Sequence, residues 1–193
     1  MPRLTKEQID EEILEAAAAL FARHGIEQTS VQRVADAVGY SKTGLLHRFP
    51  SKEALEEATV AHTVGHFERI ATQVTDLPTG PGRDRTVVEA LVALAERRPG
   101  LVSFMLTTIS QGALSSDRLD HLGEVLFRSF GTEIVKSEQP PSAAVLDRGV
   151  RITTAVSGLA VTSLAFRDLD AATVRPHLIT AALAALGHTA EEN

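Results

Sequence analysis

The sequence predicts an all-α protein with a small N-terminal group of helices followed by a larger helical C-terminal domain. Three observations carry this. Apolar residues recur at helical spacing along the chain, and no run alternates like a strand over a useful length. The breaks between periodic segments fall at glycines, prolines and capping residues. A hydrophobic content of 44% over 193 residues, with 23% charged, is enough for a substantial core and argues against disorder.

In chain order, Thr5 followed by Gln8 forms a capping-box pattern that opens helix 1. Ile9, Ile13, Ala16, Ala17, Leu20 and Phe21 then share one face, and Gly25 supplies the stop. Helix 2 is read from about Ser30 to Val38, with Val31, Val34, Ala35 and Val38 at i, i+3, i+4 and i+7. Helix 3 runs from Ser41 to Phe49 and ends because Pro50 pushes its predecessor out of helical geometry. Ser51 caps helix 4, which passes through Leu55, Ala58, His62, Phe67 and Ile70 to about Val74. The stretch DLPTGPGRD reads as a loop. Beyond it, helices are expected at about 84–97, 100–114, 117–137, 142–167 and 173–187, separated by RRPG, SSD, EQPPS and RDLD.

Several classes are disfavoured at once. Without cysteine there are no disulfides and no thiolate zinc sites. The N-terminus is acidic and lacks an apolar h-region, and the longest strongly apolar run, Ile152 to Phe166, is too short for a bilayer. A cytoplasmic protein without membrane association is the expectation. The net charge of −6 hides an asymmetry: Gln28 to Lys52 holds four cations (Arg33, Lys42, Arg48, Lys52) against Asp36 alone, whereas Lys6 to Glu27 holds two cations and six acids. Such local positive charge is the mark of a compact footprint on a polyanion.

The segment VADAVGYSKTGLLHRFPSKEAL, Val34 to Leu55, gives that footprint a shape. A helix-turn-helix needs a small residue where two helices cross, a turn that tolerates positive φ, and apolar residues that hold the second helix down. Ala35, Gly39 and Leu45 stand at those offsets, with Val34 and Val38 along the inner seam. The short second helix is then free to enter a major groove.

Here the chain resembles the tetracycline-repressor (TetR) family of transcriptional regulators, on ILEAAAALFARHGIEQTSVQRVADAVGYSKTGLLHRFPSKEAL, Ile13 to Leu55, and above all on the Ala/Gly turn joined to LLHRFPSKEAL. The resemblance implies a helix-turn-helix DNA-binding domain over 1–52, with the motif at 30–49. It also implies an effector-binding and dimerisation domain over 53–193, with helix 4 (about 51–75) as connector. It implies that Gln32, Lys42, Thr43, Gly44 and His47 face bases, and that Ser30, Tyr40, Arg48 and Lys52 contact phosphate, with Arg33 in the same footprint. Gly44 costs about 1 kcal/mol of helix propensity relative to alanine, which makes sense where backbone approaches DNA closely. One departure stands out: Leu46 occupies a position where the family usually has tyrosine.

Plainer roles compete at some positions. Gln32 could close a capping box with Thr29, and Arg48 and Lys52 could be solvated charges. His62 and His66 share a helix face, yet with only His121 as a speculative third ligand no metal is expected. The acids of helix 1 are read as solvated.

In the C-terminal part, VRITTAVSGLAVTSLAF is rich in small residues, and Val174, Leu178, Ala182 and Leu186 line one stripe of the last helix. Both fit an intramolecular core; the resemblance implies instead a homodimer through the last two helices. It further implies a small-molecule effector site, with Phe104, Met105, Thr108, Gln111, Phe127 and Arg151 as lining candidates, each of which fits ordinary core equally well, and no cofactor. The expectation is a ligand-responsive repressor that binds a palindromic double-stranded DNA operator as a homodimer and is released by a small apolar effector. An all-helical interaction module that has lost DNA binding is the alternative, and a helical enzyme using His62 or His66 is the weakest reading.

Overall fold

The computed structural model describes residues 5–110, 117–132 and 141–188. Among them the regular structure is entirely helical: α1 Lys6–His24, α2 Val31–Ala37, α3 Lys42–Arg48, α4 Lys52–Gln73, α5 Pro81–Arg97, α6 Pro99–Ser110, α7 Asp117–Ser129, α8 Ala143–Ala165 and α9 Ala171–Leu186. They group into two compact units, Met1–Gly65 with Arg98–Ala113, and His66–Arg97 with Leu114–Asn193.

In the first unit α1 starts as its sequence dictates. Thr5 Oγ1 accepts from the Gln8 amide at 3.2 Å, and the Gln8 side chain accepts from the Thr5 amide at 2.9 Å. Gly25 ends the helix at φ +84°. The core joins Ile13, Leu14, Ala17, Ala18 and Phe21 of α1 to Val34, Ala35, Leu45, Leu55, Leu101 and Phe104. Phe21 and Phe104 meet with ring centroids 6.1 Å apart, within the range of favourable tilted pairs.

Of the acids of α1, Glu7 and Glu12 are exposed as expected, but Asp10, Glu11 and Glu15 are not part of a solvated face. Glu15 Oε1 accepts the Gly100 N–H at 2.5 Å and Oε2 the Leu101 N–H at 3.3 Å, so it satisfies amides that the first turn of α6 leaves without intrahelical partners. Glu11 pairs with Arg98 at 2.5 Å, and Asp10 pairs with Arg48. At Gly100 α6 approaches α1 closely: a Cβ there would lie 2.6 Å from the Glu15 carbonyl oxygen. Burial holds the Glu15 carboxyl above the ordinary glutamate range, against the opposing pull of the Gly100 and Leu101 amides and Arg98.

In the second unit α5 and α9 pack together, as do α8 and α9. Pro81 opens α5, as Pro99 opens α6, because proline's missing N–H costs nothing in a first turn. Helix α7 is shorter than its expected span of 117–137. It stops at Ser129, Gly131 takes φ +69°, and the Thr132 amide turns back to the Phe127 carbonyl at 3.0 Å; residues 133–137 lie outside the described residues. Arg83 donates to the carbonyls of Arg128 (2.8 Å) and Ser129 (2.7 Å) at this helix end. Beside it, buried Asp84 accepts from Arg148 at 2.7 and 2.8 Å and meets His188 Nε2 at 2.7 Å. Among the described residues no helix is long and apolar enough to cross a membrane.

Candidate nucleic-acid interface

Helix α2, its turn and α3 are built almost wholly from local hydrogen bonds. Ser30 caps α2, its Oγ accepting the Arg33 amide at 3.1 Å. Thr29 does not take part in a capping box with Gln32: its hydroxyl donates to the Gly25 carbonyl at 2.8 Å, while Gln32 Nε2 donates to Asp36 at 2.6 Å. After Val38 the chain reverses at Gly39, φ +71°, and the Tyr40 amide returns to the Ala35 carbonyl at 2.9 Å. Ser41 then caps α3 by accepting the Gly44 amide at 3.0 Å. Gly44 has a local reason as well, since a Cβ there would sit 3.1 Å from Ser41 Oγ.

The seam works as the spacing demands. Val34, Ala35 and Leu45 are fully buried, and Val31 and Val38 are partly buried against the same cluster. With Leu45 turned inward, Lys42, Thr43 and His47 of α3 are exposed together with Gln32 and Arg33 of α2, while Tyr40, Gly44 and Leu46 are half-buried. Ser30 is exposed but committed to its cap. Slight desolvation, then the Arg33 and Arg23 cations, hold the His24 imidazole below its ordinary range. Two of the cations make contacts within the unit: Arg48 pairs with Asp10, and Lys52 Nζ donates to the Glu27 carbonyl at 2.7 Å. A carboxylate cancels the charge of Arg48, whereas a carbonyl leaves that of Lys52 in place.

Of the six effector candidates, two are described in each unit. Phe104 and Met105 are buried in the first unit, Phe104 in its core. Thr108 lies on α6 with its side chain outside the described residues, and Gln111 is outside them altogether. Phe127 lines a groove of about 350 Å³ with Val145, Leu146 and Val150 in the second unit. Arg151 is exposed on α8 and pairs with Asp147 at 2.8 Å. Sequence reasoning did not find a larger groove between α8 and α9, of about 550 Å³, lined by Gly158, Thr162, Phe166, Leu169, Val174 and His177 among others. Its signal was the set of large apolar residues left outside the helical stripe; Val161, Phe166 and Leu169 are 49–57% exposed. Of the expected stripe on the last helix, Leu178, Ala182 and Leu186 are buried within the chain. Among the described residues no cluster of three or more His, Cys, Asp or Glu side chains is placed to hold a metal.

Comparison with known proteins agrees with this geometry. The family described as "Bacterial regulatory proteins, tetR family" matches residues 13–59. The chain is 32% identical over 81 residues to the HTH-type transcriptional repressor KstR2 of Rhodococcus jostii, covering 42% of this chain and 38% of that protein. It is 49% identical over 43 residues to the HTH-type transcriptional regulator RutR of Escherichia coli, covering 22% and 20%. The chain thus spans well under half the length of these relatives, which are regulators rather than enzymes. The solved structure of the ketosteroid transcriptional regulator KstR2 of Mycobacterium tuberculosis superimposes with a TM-score of 0.62 at 20% identity, over 94% of this chain and 95% of that one, and so shares the fold. The capped, glycine-hinged α2–α3 pair thus lies within a segment that matches the tetR family of bacterial regulatory proteins, and the chain shares the all-helical fold of that solved regulator over nearly its full length.

Proposed function

We propose that the chain is a cytoplasmic transcriptional repressor that binds a palindromic operator as a homodimer and is released by a small apolar effector. The observation that carries the reading is the exposed face of α3. Lys42, Thr43 and His47 project outward from a helix whose opposite side is fixed by buried Leu45. Such a rod inserts into a major groove with its outer side chains at base edges. Gln32, Thr43, Gly44 and His47 face bases with Lys42, while Ser30, Arg33, Tyr40 and Lys52 lie along the phosphates. One seven-residue helix reads few bases, so two copies about 34 Å apart on an inverted repeat supply the rest.

The α8–α9 groove supports the dimer, because its lining and the exposed Val161, Phe166 and Leu169 form an apolar face that a second copy would cover. An effector that prefers one spacing of the two recognition helices shifts the population toward it; a coupling of about 1–3 kcal/mol changes DNA affinity about 5- to 150-fold.

The experiment is a selection of duplexes from a random-sequence library, followed by salt titration of the recovered sequence. About eight phosphate contacts per dimer predict log K falling with log salt at a slope near −7. An interaction module without DNA binding, which Leu46 and the net charge of −6 recommend, predicts no duplex to titrate.

A further inference from the structure

Arg48 ends α3, and its guanidinium rests on the carboxylate of Asp10, which stands on α1 thirty-eight residues earlier. Both side chains are largely withdrawn from solvent, at 20% and 31% exposure. The contact matters because α3 has few other fixings. It is seven residues long, too short to hold itself together. The turn at Tyr40 and Ser41 holds its start, Leu45 is its one buried residue, and the Asp10 contact lies at its far end. A rod held at its start and middle can still tilt, and the ion pair is placed to prevent that.

The charge balance points the same way. Lys42 is exposed, and Lys52 donates to an uncharged carbonyl, so both present net positive charge. A guanidinium occupied by a carboxylate presents almost none, and a phosphate could claim it only by breaking the pair. We infer that Asp10 and Arg48 form a positioning pair that sets the angle at which α3 leaves the domain, and that Arg48 does not bind phosphate. The inference rests on the DNA-binding reading and refines it.

The test uses the full chain and a duplex recovered by the wild-type protein from a random-sequence library. Asp10→Asn and Arg48→Gln should each weaken binding about five- to tenfold, the double variant no more than either single, and all three should keep the wild-type salt slope. Glu12→Gln, on an exposed α1 position, measures what removing any nearby negative charge does. If Arg48 bound phosphate, Arg48→Gln would flatten the slope by about two per dimer, and Asp10→Asn would free the guanidinium and tighten binding beyond Glu12→Gln. Either result overturns the pair. Circular dichroism at the assay temperature confirms that each variant is folded. Should the wild-type chain recover no duplex at all, the DNA-binding reading itself fails, a result distinct from failure of the pair alone.

Discussion

Leu45→Ala tests how α3 is held. Leu45 is completely buried and is the only buried residue of that helix. The substitution deletes three carbons; at about 0.8 kcal/mol per buried methylene that is about 2.4 kcal/mol of lost transfer energy. The neighbours Val34, Ala35 and Leu14 lie on other helices and collapse only partly into the space, and a residual cavity of about 50 Å³ at about 24 cal/mol per Å³ adds about 1 kcal/mol. The sum, about 3–4 kcal/mol, is a large share of a typical domain's stability of about 5–15 kcal/mol. Urea denaturation followed by far-UV circular dichroism measures it, and amide hydrogen exchange shows whether α3 loses protection first. Leu46→Ala, at a half-buried neighbour, should cost about 1 kcal/mol or less. A loss below about 1 kcal/mol for Leu45→Ala, or equal losses at the two positions, would refute the claim that one side chain anchors this helix.

The Glu15 clamp gives a second set of outcomes. Because its folded pKa is raised above the ordinary 4.5, its contribution is full below that value and is lost as pH rises through the folded value. Urea titrations from about pH 4 to 7 should therefore show Glu15→Gln gaining on the wild type as pH rises, and a constant difference would contradict this. Glu15→Ala strips acceptors from the Gly100 and Leu101 amides and should cost about 1–3 kcal/mol in the same assay. Two glycines should respond with opposite signs on thermal unfolding. Gly100→Ala pushes a methyl to 2.6 Å from the Glu15 carbonyl oxygen and should destabilise by about 1–3 kcal/mol. Gly123→Ala, on α7 with nothing within 4 Å of the new Cβ, should stabilise by about 0.5–1 kcal/mol; matching signs would contradict the account.

What could be read from the chain was whatever local chemistry decides. The Thr5–Gln8 box, Gly25, the Ser30 and Ser41 positions and Gly39 each act within four residues, and the helices they bound lie where their spacing put them. The exposed face of α3 was legible for the same reason, once Leu45 was recognised as the inward residue. Contacts distant in sequence were not legible. Nothing in DEEILEA shows that Asp10, Glu11 and Glu15 meet partners 38, 87 and 85 residues away, so a solvated face was the natural reading. The misplaced end of α7 has a similar origin: the apolar pattern continues past Ser129, but Arg83, forty-six residues earlier, accepts the role of capping its carbonyls. Phe104 was a cavity candidate through the resemblance alone, and its partner Phe21 could be found only in three dimensions.

The central claim, that the outer face of α3 enters the major groove, can be measured by site-directed crosslinking, since the chain has no cysteine of its own. Thr43→Cys on exposed α3 and Thr72→Cys on exposed α4 would each be mixed with a selected duplex bearing a disulfide-activated thiol tether on a major-groove base edge. The account predicts rapid attachment through position 43, at one tether position in each half-site, and none through position 72. Equal yields at the two positions, or no attachment through position 43 at any tether site, would contradict it.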